Sequence, residues 1–288
     1  MKIGILDGPY LQRYGFERGM RRIAELGYNC LDYQRFCDTE TPLFQQDAAG
    51  FESELKRQRA FFESCGLTVS QTHGPWRWPI QDGTPEDRAE RFEKMSRSLL
   101  GTAILGCELM VIHPIMPFGD DEGIRTREMW ELNVEFYGRL CEVGRAYGVT
   151  ICLENMPFRR QSTSTPEAIL KLVKLIGAPN CKVCLDTGHS LVMGVQPAVA
   201  VRQLGREYLA CLHVHDNNGE RDLHWLPYTG KGDWEAFSAA LQEIGYEGVL
   251  SLETSIPDGI PEDLASLQEQ SLAQMAAKLA GRDEIVFK

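Results

Sequence analysis

The sequence predicts a (β/α)₈ TIM barrel, in which eight parallel strands form a closed sheet surrounded by helices. Three observations carry this prediction. A strand-then-helix pattern repeats eight times, the length of 288 residues suits such a barrel, and no glycine-rich nucleotide-binding turn follows the first strand. That last observation disfavours an open doubly wound sheet, the main alternative. No low-complexity linker divides the chain, so we expect a single domain over residues 1–288.

Each predicted strand is a short β-rich run that ends in a polar residue and precedes a longer helical stretch. The eight runs, in chain order, are Lys2–Asp7, Asn29–Tyr33, Leu67–His73, Glu108–His113, Val149–Glu154, Lys182–Asp186, Tyr208–His213 and Gly248–Glu253. A helix between successive strands provides the crossover that parallel pairing requires. We therefore expect all eight strands to be parallel.

The segments between the strands carry helix signals. In Pro85–Gly106, apolar residues recur at three- and four-residue spacing, and Thr84 supplies an N-cap before the first-turn proline. Thr165 and Pro166 begin another helix in the same way. Glycines suited to end a helix precede several strands: Gly27, Gly66, Gly148 and Gly245.

Composition narrows the class of protein. Hydrophobic residues make up 43% and charged residues 25%, as in soluble globular proteins. No apolar window is long enough to span a membrane, and Asp7 and Pro9 interrupt the N-terminal apolar run too early for a signal peptide, so we expect a cytoplasmic protein. The net charge of −11 argues against a nucleic-acid partner. Nine cysteines, an odd number, favour reduced and buried thiols.

Six consecutive predicted strands end in a side chain that can bind a metal ion: His73, His113, Glu154, Asp186, His213 and Glu253. One such residue alone is ordinarily a satisfied polar group, but the C-terminal ends of barrel strands share one face, so this series should converge. Carboxylates and imidazoles crowded there would be unstable without a cation. We predict a divalent-metal site of Glu154, Asp186, His213 and Glu253, suited to Mn²⁺, Mg²⁺, Co²⁺ or Zn²⁺.

A second group of candidates follows the sixth and seventh strands. Asp222 and His224 are two residues apart, so on an extended loop they would face the same side and could bind a second metal. The alternative is a solvated loop whose side chains contact the ligands of the first metal. His189, three residues after Asp186, belongs to the same region of the predicted barrel mouth.

Aromatic and basic residues mark the predicted rim. Trp76 and Trp78 follow the third strand, where they could wall a sugar pocket or stack on nucleobases, and we favour the sugar. Arg159 follows the fifth strand and could hold a phosphate or carboxylate of a small substrate, although a solvated surface position is the simpler interpretation.

The chain resembles the xylose-isomerase-like TIM barrel superfamily, which includes sugar and sugar-phosphate isomerases and epimerases and the endonuclease IV branch. The resemblance covers nearly the whole chain. It is carried by Leu153-Glu154-Asn155, Leu185-Asp186-Thr187-Gly188-His189, His213-Val214-His215-Asp216, Asp222-Leu223-His224, Gly230-Lys231-Gly232-Asp233-Trp234 and Leu252-Glu253-Thr254.

The resemblance implies roles for these residues. It implies that Glu154, Asp186, His213 and Glu253 hold the common metal, and that His189 lies near the substrate or a further metal. In the endonuclease branch, positions that match His73, His113, Asp222 and His224 complete a trinuclear zinc site.

The leading hypothesis is a metal-dependent isomerase or epimerase of a sugar, sugar phosphate or inositol-like ketone, which works by proton transfer through an enediolate. Glu154 and Glu253, expected on opposite walls of the barrel, would remove and return the proton. An inosose dehydratase is a close variant, and an endonuclease IV-like zinc phosphodiesterase acting on abasic DNA is the second class. A non-catalytic sugar-binding barrel is the third, but it has no need of two opposed carboxylates. The expected partner is a small-molecule carbohydrate, and similar barrels are often homo-oligomers.

Overall fold

The computed structural model describes residues 1–76, 82–254, 256–257 and 259–282. Eight parallel strands form one sheet in the order β7-β6-β5-β4-β3-β2-β1-β8, which confirms the predicted barrel. The strands are β1 Lys2–Leu6, β2 Cys30–Tyr33, β3 Thr68–His73, β4 Leu109–Ile112, β5 Thr150–Glu154, β6 Cys181–Asp186, β7 Leu209–His213 and β8 Val249–Leu252. That residues 1–288 make up a single domain stays a prediction.

Ten helices lie in the described part of the chain. They are α1 Gly8–Tyr14, α2 Phe16–Glu25, α3 Ala48–Ser64, α4 Pro85–Ile104, α5 Thr126–Ala146, α6 Pro166–Ile176, α7 Thr187–Val192, α8 Pro197–Tyr208, α9 Trp234–Glu243 and α10 Glu262–Leu279. None of these helices combines the length and the apolar character needed to cross a membrane.

The predicted helix starts and stops are confirmed. Thr84 accepts a hydrogen bond from the backbone of Asp87, whose side chain accepts one in return, so the two residues form a capping box at the start of α4. The Thr165 side chain accepts a hydrogen bond from Ala168 N at the start of α6. The four predicted stop glycines all have positive φ, which ends a helix at little steric cost.

Several predicted boundaries shift by one or two residues. His113 and Glu253 lie one residue beyond β4 and β8, so they leave the ladder where the chain turns into the barrel mouth. Tyr208 is the last residue of α8 rather than the first of β7, and α4 ends at Ile104 rather than Gly106. These shifts do not move the candidate side chains away from the mouth.

The barrel closes through Val214, just beyond β7. Val214 bridges to Leu252 of β8, its N–H donates to Ser251 O at 2.9 Å, and Glu253 N donates to Val214 O at 3.1 Å. This short stretch of parallel pairing ties the end of β8 to the end of β7. Glu253 is therefore held beside His213 by the closure of the barrel itself.

The barrel interior beneath the mouth is filled by a small layer of four buried side chains, Val111, Cys152, Cys184 and Cys211, while the larger apolar core packs between the sheet and the helices. All nine cysteines are free thiols, as their number and apolar surroundings in the sequence suggested. This apolar layer lies between the polar mouth and the bottom of the barrel, beneath the ends of β4 to β7.

Candidate active site and metal centre

A register shift between β6 and β7 aligns the C-terminal ends of these two strands at the centre of the site. β7 contributes one extra residue, Ala210, so Asp186 pairs with His213 instead of with Leu212. Paired residues of neighbouring strands point to the same face, whereas a slip of one residue reverses the face. The extra residue therefore puts the Asp186 and His213 side chains together at the barrel mouth.

The four predicted ligands converge. Glu154, Asp186, His213 and Glu253 each offer a ligand atom, and these atoms all lie within 4.8 Å of one another. Nδ1 of His213 is 2.9 Å from Glu154 Oε1 and 3.2 Å from Glu253 Oε2. β5 and β8 are three positions apart around the barrel rather than four, so the two glutamates approach from different walls that are not diametrically opposed.

The donor set fits a divalent cation. Three of the four side chains are at most 1% exposed, and that of Glu253 is 15% exposed. The Oε2 atoms of Glu154 and Glu253 are buried and accept no hydrogen bond of good geometry from any residue that the structure describes. A buried carboxylate oxygen without a partner is costly, and a cation removes that cost. Three carboxylates and one imidazole suit a hard to borderline divalent ion.

Burial and the neighbouring imidazoles have opposite effects on the pKa values of the two glutamates at the centre. Burial would raise the pKa of Glu154, but the imidazoles of His213 and His113 hold it well below its ordinary value. Burial would likewise raise the pKa of Glu253, but His213 and His224 hold it well below its ordinary value. Both glutamates are therefore ionised at neutral pH, as ligands and proton acceptors must be.

His73 and His113 extend the centre on the side of β3 and β4. Their Nε2 atoms lie 3.2 Å apart, and they are 3.5 and 3.0 Å from Glu154 Oε2. The Nδ1 atom of His73 hydrogen-bonds Gly74 O at 2.9 Å, which directs its Nε2 toward the glutamate. Burial lowers the pKa of His113 to about 4, so this imidazole is neutral near pH 7.

His189, Asp222 and His224 form a cluster on the other side of the centre. Asp222 Oδ2 lies 3.2 Å from Nε2 of both histidines. The other ring nitrogens, the Nδ1 atoms, are held by backbone oxygens, Asn155 O at 2.8 Å for His189 and Glu253 O at 2.7 Å for His224. Burial would raise the pKa of Asp222, but hydrogen bonds from the two imidazoles hold it far below its ordinary value.

His215 belongs to the site, although the sequence analysis placed it only within a motif. Its Nε2 lies 2.9 Å from Asp186 Oδ2, and its ring stacks on that of His224 with centroids 4.1 Å apart. The available signal was its spacing of two residues from His213, since alternate residues of an extended segment share a face. With it, all six histidines of the chain lie at the barrel mouth.

Two further buried polar residues escaped the sequence analysis. Asp32 of β2 and Gln71 of β3 point into the barrel, where Gln71 Nε2 donates to Asp32 Oδ2 at 2.9 Å. The signal was a charged residue in the middle of the short buried strand Cys30-Leu31-Asp32-Tyr33.

Motif residues around the candidate ligands form side-chain hydrogen bonds that link neighbouring strands. Asn155 Oδ1 accepts from Asp186 N, and its Nδ2 donates to Asp186 O, both at 2.9 Å. The Thr187 hydroxyl donates to His215 O at 2.7 Å and accepts from His215 N at 2.9 Å. These four hydrogen bonds fix the backbone on either side of the centre, so the candidate ligands are already positioned before any ion binds.

Asp216 fixes the position of the loop that contains Asp222 and His224. Its buried carboxylate accepts hydrogen bonds from Gly230 N at 2.8 Å, Gly232 N at 3.0 Å and Trp234 Nε1 at 2.8 Å. A Cβ on Gly230 would lie 2.2 Å from a backbone oxygen, so only glycine allows this approach. The glycine-rich stretch before α9 thus holds the loop in place through its hydrogen bonds to Asp216.

The rim residues differ in position. The ring of Trp76 packs edge-on against His113, with centroids 4.2 Å apart, so it does border the site. Arg159 is exposed and donates to Gly219 O at 3.3 Å. Trp78 lies outside the described residues.

Comparison with known proteins identifies relatives along most of the chain. The sequence model of the family described as xylose isomerase-like TIM barrel matches residues 20–270. An uncharacterised protein of Methanocaldococcus jannaschii is 31% identical over 217 residues, 72% of either chain. The D-psicose 3-epimerase of Ruminiclostridium cellulolyticum is 25% identical and aligns with 90% of this chain and 85% of its own.

A solved structure shows the same fold. The crystal structure of the IOLI protein with a bound zinc atom superimposes with a TM-score of 0.75 at 18% identity, and covers 97% of this chain and 96% of its own.

Replacing Gly188 by alanine should weaken metal binding. The added Cβ would lie 1.9 Å from Cε1 of His215, so the imidazole must move away from Asp186. Loss of a partner that orients a ligand costs about 10- to 100-fold in metal affinity. Titration calorimetry with Mn²⁺ measures the effect. Gly138→Ala in α5 is the control, because nothing lies within 4 Å of its Cβ. Equal Mn²⁺ affinity in the two variants would contradict the expectation.

Proposed function

Because the chain belongs to the xylose isomerase-like TIM barrel family, we propose that it is a divalent-metal-dependent isomerase or epimerase of a sugar or inositol-like ketone. The observation that carries this proposal is the pair of ionised carboxylates, Glu154 and Glu253, that flank Nδ1 of His213 from different walls. The epimerase activity in the name of one relative and the zinc atom bound by the IOLI protein support it.

The proposed reaction moves a proton next to a carbonyl. A bound divalent cation supplies Lewis-acid stabilisation of the negative charge that develops on the substrate oxygens. Glu154, Asp186, His213 and Glu253 would hold that cation. Of the two glutamates, one removes the proton from the carbon beside the carbonyl and the other returns a proton. Epimerisation needs the proton to leave one face and return to the other, which two carboxylates on β5 and β8 allow.

The surrounding side chains bind and orient the substrate in this proposal. His189 would hydrogen-bond a substrate hydroxyl through Nε2, which lies 3.2 Å from Asp222 Oδ2, while its Nδ1 is held by Asn155 O. Trp76 covers the opposite side, where an aromatic face suits the apolar face of a sugar. A cytoplasmic location and homo-oligomeric assembly stay predictions.

Glu154→Gln and Glu253→Gln should each abolish exchange of solvent deuterium into the substrate. Removing a general acid or base costs about 10²- to 10⁴-fold in rate. The measurement is deuterium uptake from heavy water into D-psicose, other ketoses and inososes at saturating Mn²⁺, followed by NMR. An inosose that also loses a β-hydroxyl would identify the dehydratase variant.

The matched control is Glu269→Gln. Glu269 is about as buried as Glu154 but pairs with Arg22 and Tyr14 outside the barrel mouth, so its replacement should leave exchange intact. Normal exchange in either active-site variant at saturating metal would exclude that glutamate as acid or base.

A second candidate function is zinc-dependent cleavage of abasic DNA. It is favoured by the two pairs that flank the centre, His73 with His113 and Asp222 with His224, because they match the extra zinc ligands that the resemblance to the endonuclease branch implies. The net charge of −11 argues against it, since a DNA-binding surface requires Lys and Arg.

Metal content and a nuclease assay separate the two functions. For the isomerase we expect one readily exchangeable divalent ion per chain and no cleavage of an abasic duplex. Elemental analysis of the purified protein gives the first quantity, and gel electrophoresis of a labelled duplex gives the second. Three tightly held zinc ions together with cleavage would overturn the isomerase in favour of the phosphodiesterase.

A further inference from the structure

The ring nitrogen of His213 that faces away from the metal centre lies against a buried carboxylate. His213 Nε2 is 2.8 Å from Asp32 Oδ2, and both side chains are 0% exposed. The opposite ring nitrogen, Nδ1, points to Glu154 and Glu253. The imidazole is therefore held between one carboxylate on the inside of the barrel and two at the mouth.

Asp32 is itself fixed from two directions. A register shift between β2 and β3 pairs Asp32 with Gln71 instead of with Ser70. Gln71 Nε2 then donates to Asp32 Oδ2 at 2.9 Å and to Leu212 O at 3.2 Å, which links β3 across the barrel to the residue before His213. This bond leaves the carboxylate little freedom to turn away from His213.

A fully buried carboxylate is costly unless a partner needs its charge. Gln71 supplies one neutral hydrogen bond, which does not neutralise the charge of Asp32. The ring of His213 is the charged or polar partner that remains. Histidines that bind metals commonly donate their second N–H to a carboxylate, which selects the tautomer and orients the ring.

We propose that Asp32 is a positioning residue for the metal centre, which holds His213 with Nε2 protonated and Nδ1 as the nitrogen that binds the ion. The inference rests on the metal centre of the proposed function, but not on the identity of the substrate. It explains why a charged residue occupies the interior of β2.

The test uses cadmium-113 as the metal and protein labelled with nitrogen-15 at histidine. Only six histidines contribute signals, and His213→Gln identifies the signal of His213. In the wild-type protein we expect coupling of cadmium to Nδ1 of His213 and a protonated Nε2 with slow solvent exchange. In Asp32→Asn we expect faster exchange of that proton and Cd²⁺ affinity weaker by about 10- to 100-fold.

Asp82→Asn is the matched control, because this buried aspartate pairs with Arg91 and with the backbone of Met116 rather than with a histidine. It should keep the wild-type affinity and the wild-type His213 signal. If Asp32→Asn does not fold, Gln71→Leu takes its place, since it keeps the Asp32 carboxylate and removes the bonds from Gln71 to Asp32 and to Leu212 O. That variant should bind Cd²⁺ several-fold more weakly.

Cadmium coupled to Nε2, or unchanged affinity and exchange in Asp32→Asn or in Gln71→Leu, would overturn the inference. The experiment contains no substrate, so it separates this inference from the proposed activity. Coupling to Nδ1 in a protein that exchanges no ketose or inosose proton would contradict the activity and leave the role of Asp32 standing. Absence of cadmium from the wild-type centre would overturn both.

Discussion

The concentration of buried negative charge around one imidazole is the constraint on which the rest of the barrel mouth depends. Glu154, Asp186 and Glu253 are brought to Nδ1 of His213 with almost no solvent to stabilise them. The surrounding imidazoles offset part of their mutual repulsion and desolvation, and in the proposed function a cation would offset the rest. Rigid strand ends hold these side chains in place. The register shift of β7, the barrel closure at Val214 and the side-chain hydrogen bonds between neighbouring strands fix those ends.

The same charged groups also bear on which of the two candidate reactions suits the site. In the proposed function, the centre would hold one ion and Glu154 and Glu253 would move the proton, which is what enolisation of a sugar requires. The flanking histidines add ligands on two sides, but in the structure each side is already internally hydrogen-bonded: His73 with His113, and Asp222 with two histidines. In the proposed function, these clusters would influence the charge of the centre and contact the substrate.

Much of this arrangement follows from sequence periodicity. Short apolar runs and the signals that start and stop helices predict where the strands end. Because the C-terminal ends of barrel strands share a face, those ends predict that Glu154, Asp186 and His213 lie together. The charge of Asp32 inside a short buried strand was a local signal, but its pairing with Gln71 depends on a register shift that the local sequence pattern does not show. His215 escaped prediction because it lies beyond β7, where the extended conformation is imposed by tertiary bonds to Thr187.

The most direct test of the central claim is anomalous X-ray diffraction from crystals grown with Mn²⁺. The account predicts a strong anomalous peak about 2.2 Å from carboxylate oxygens of Glu154, Asp186 and Glu253 and from Nδ1 of His213. No peak there, or a strongest peak bound only by Asp222 and His224, would contradict it.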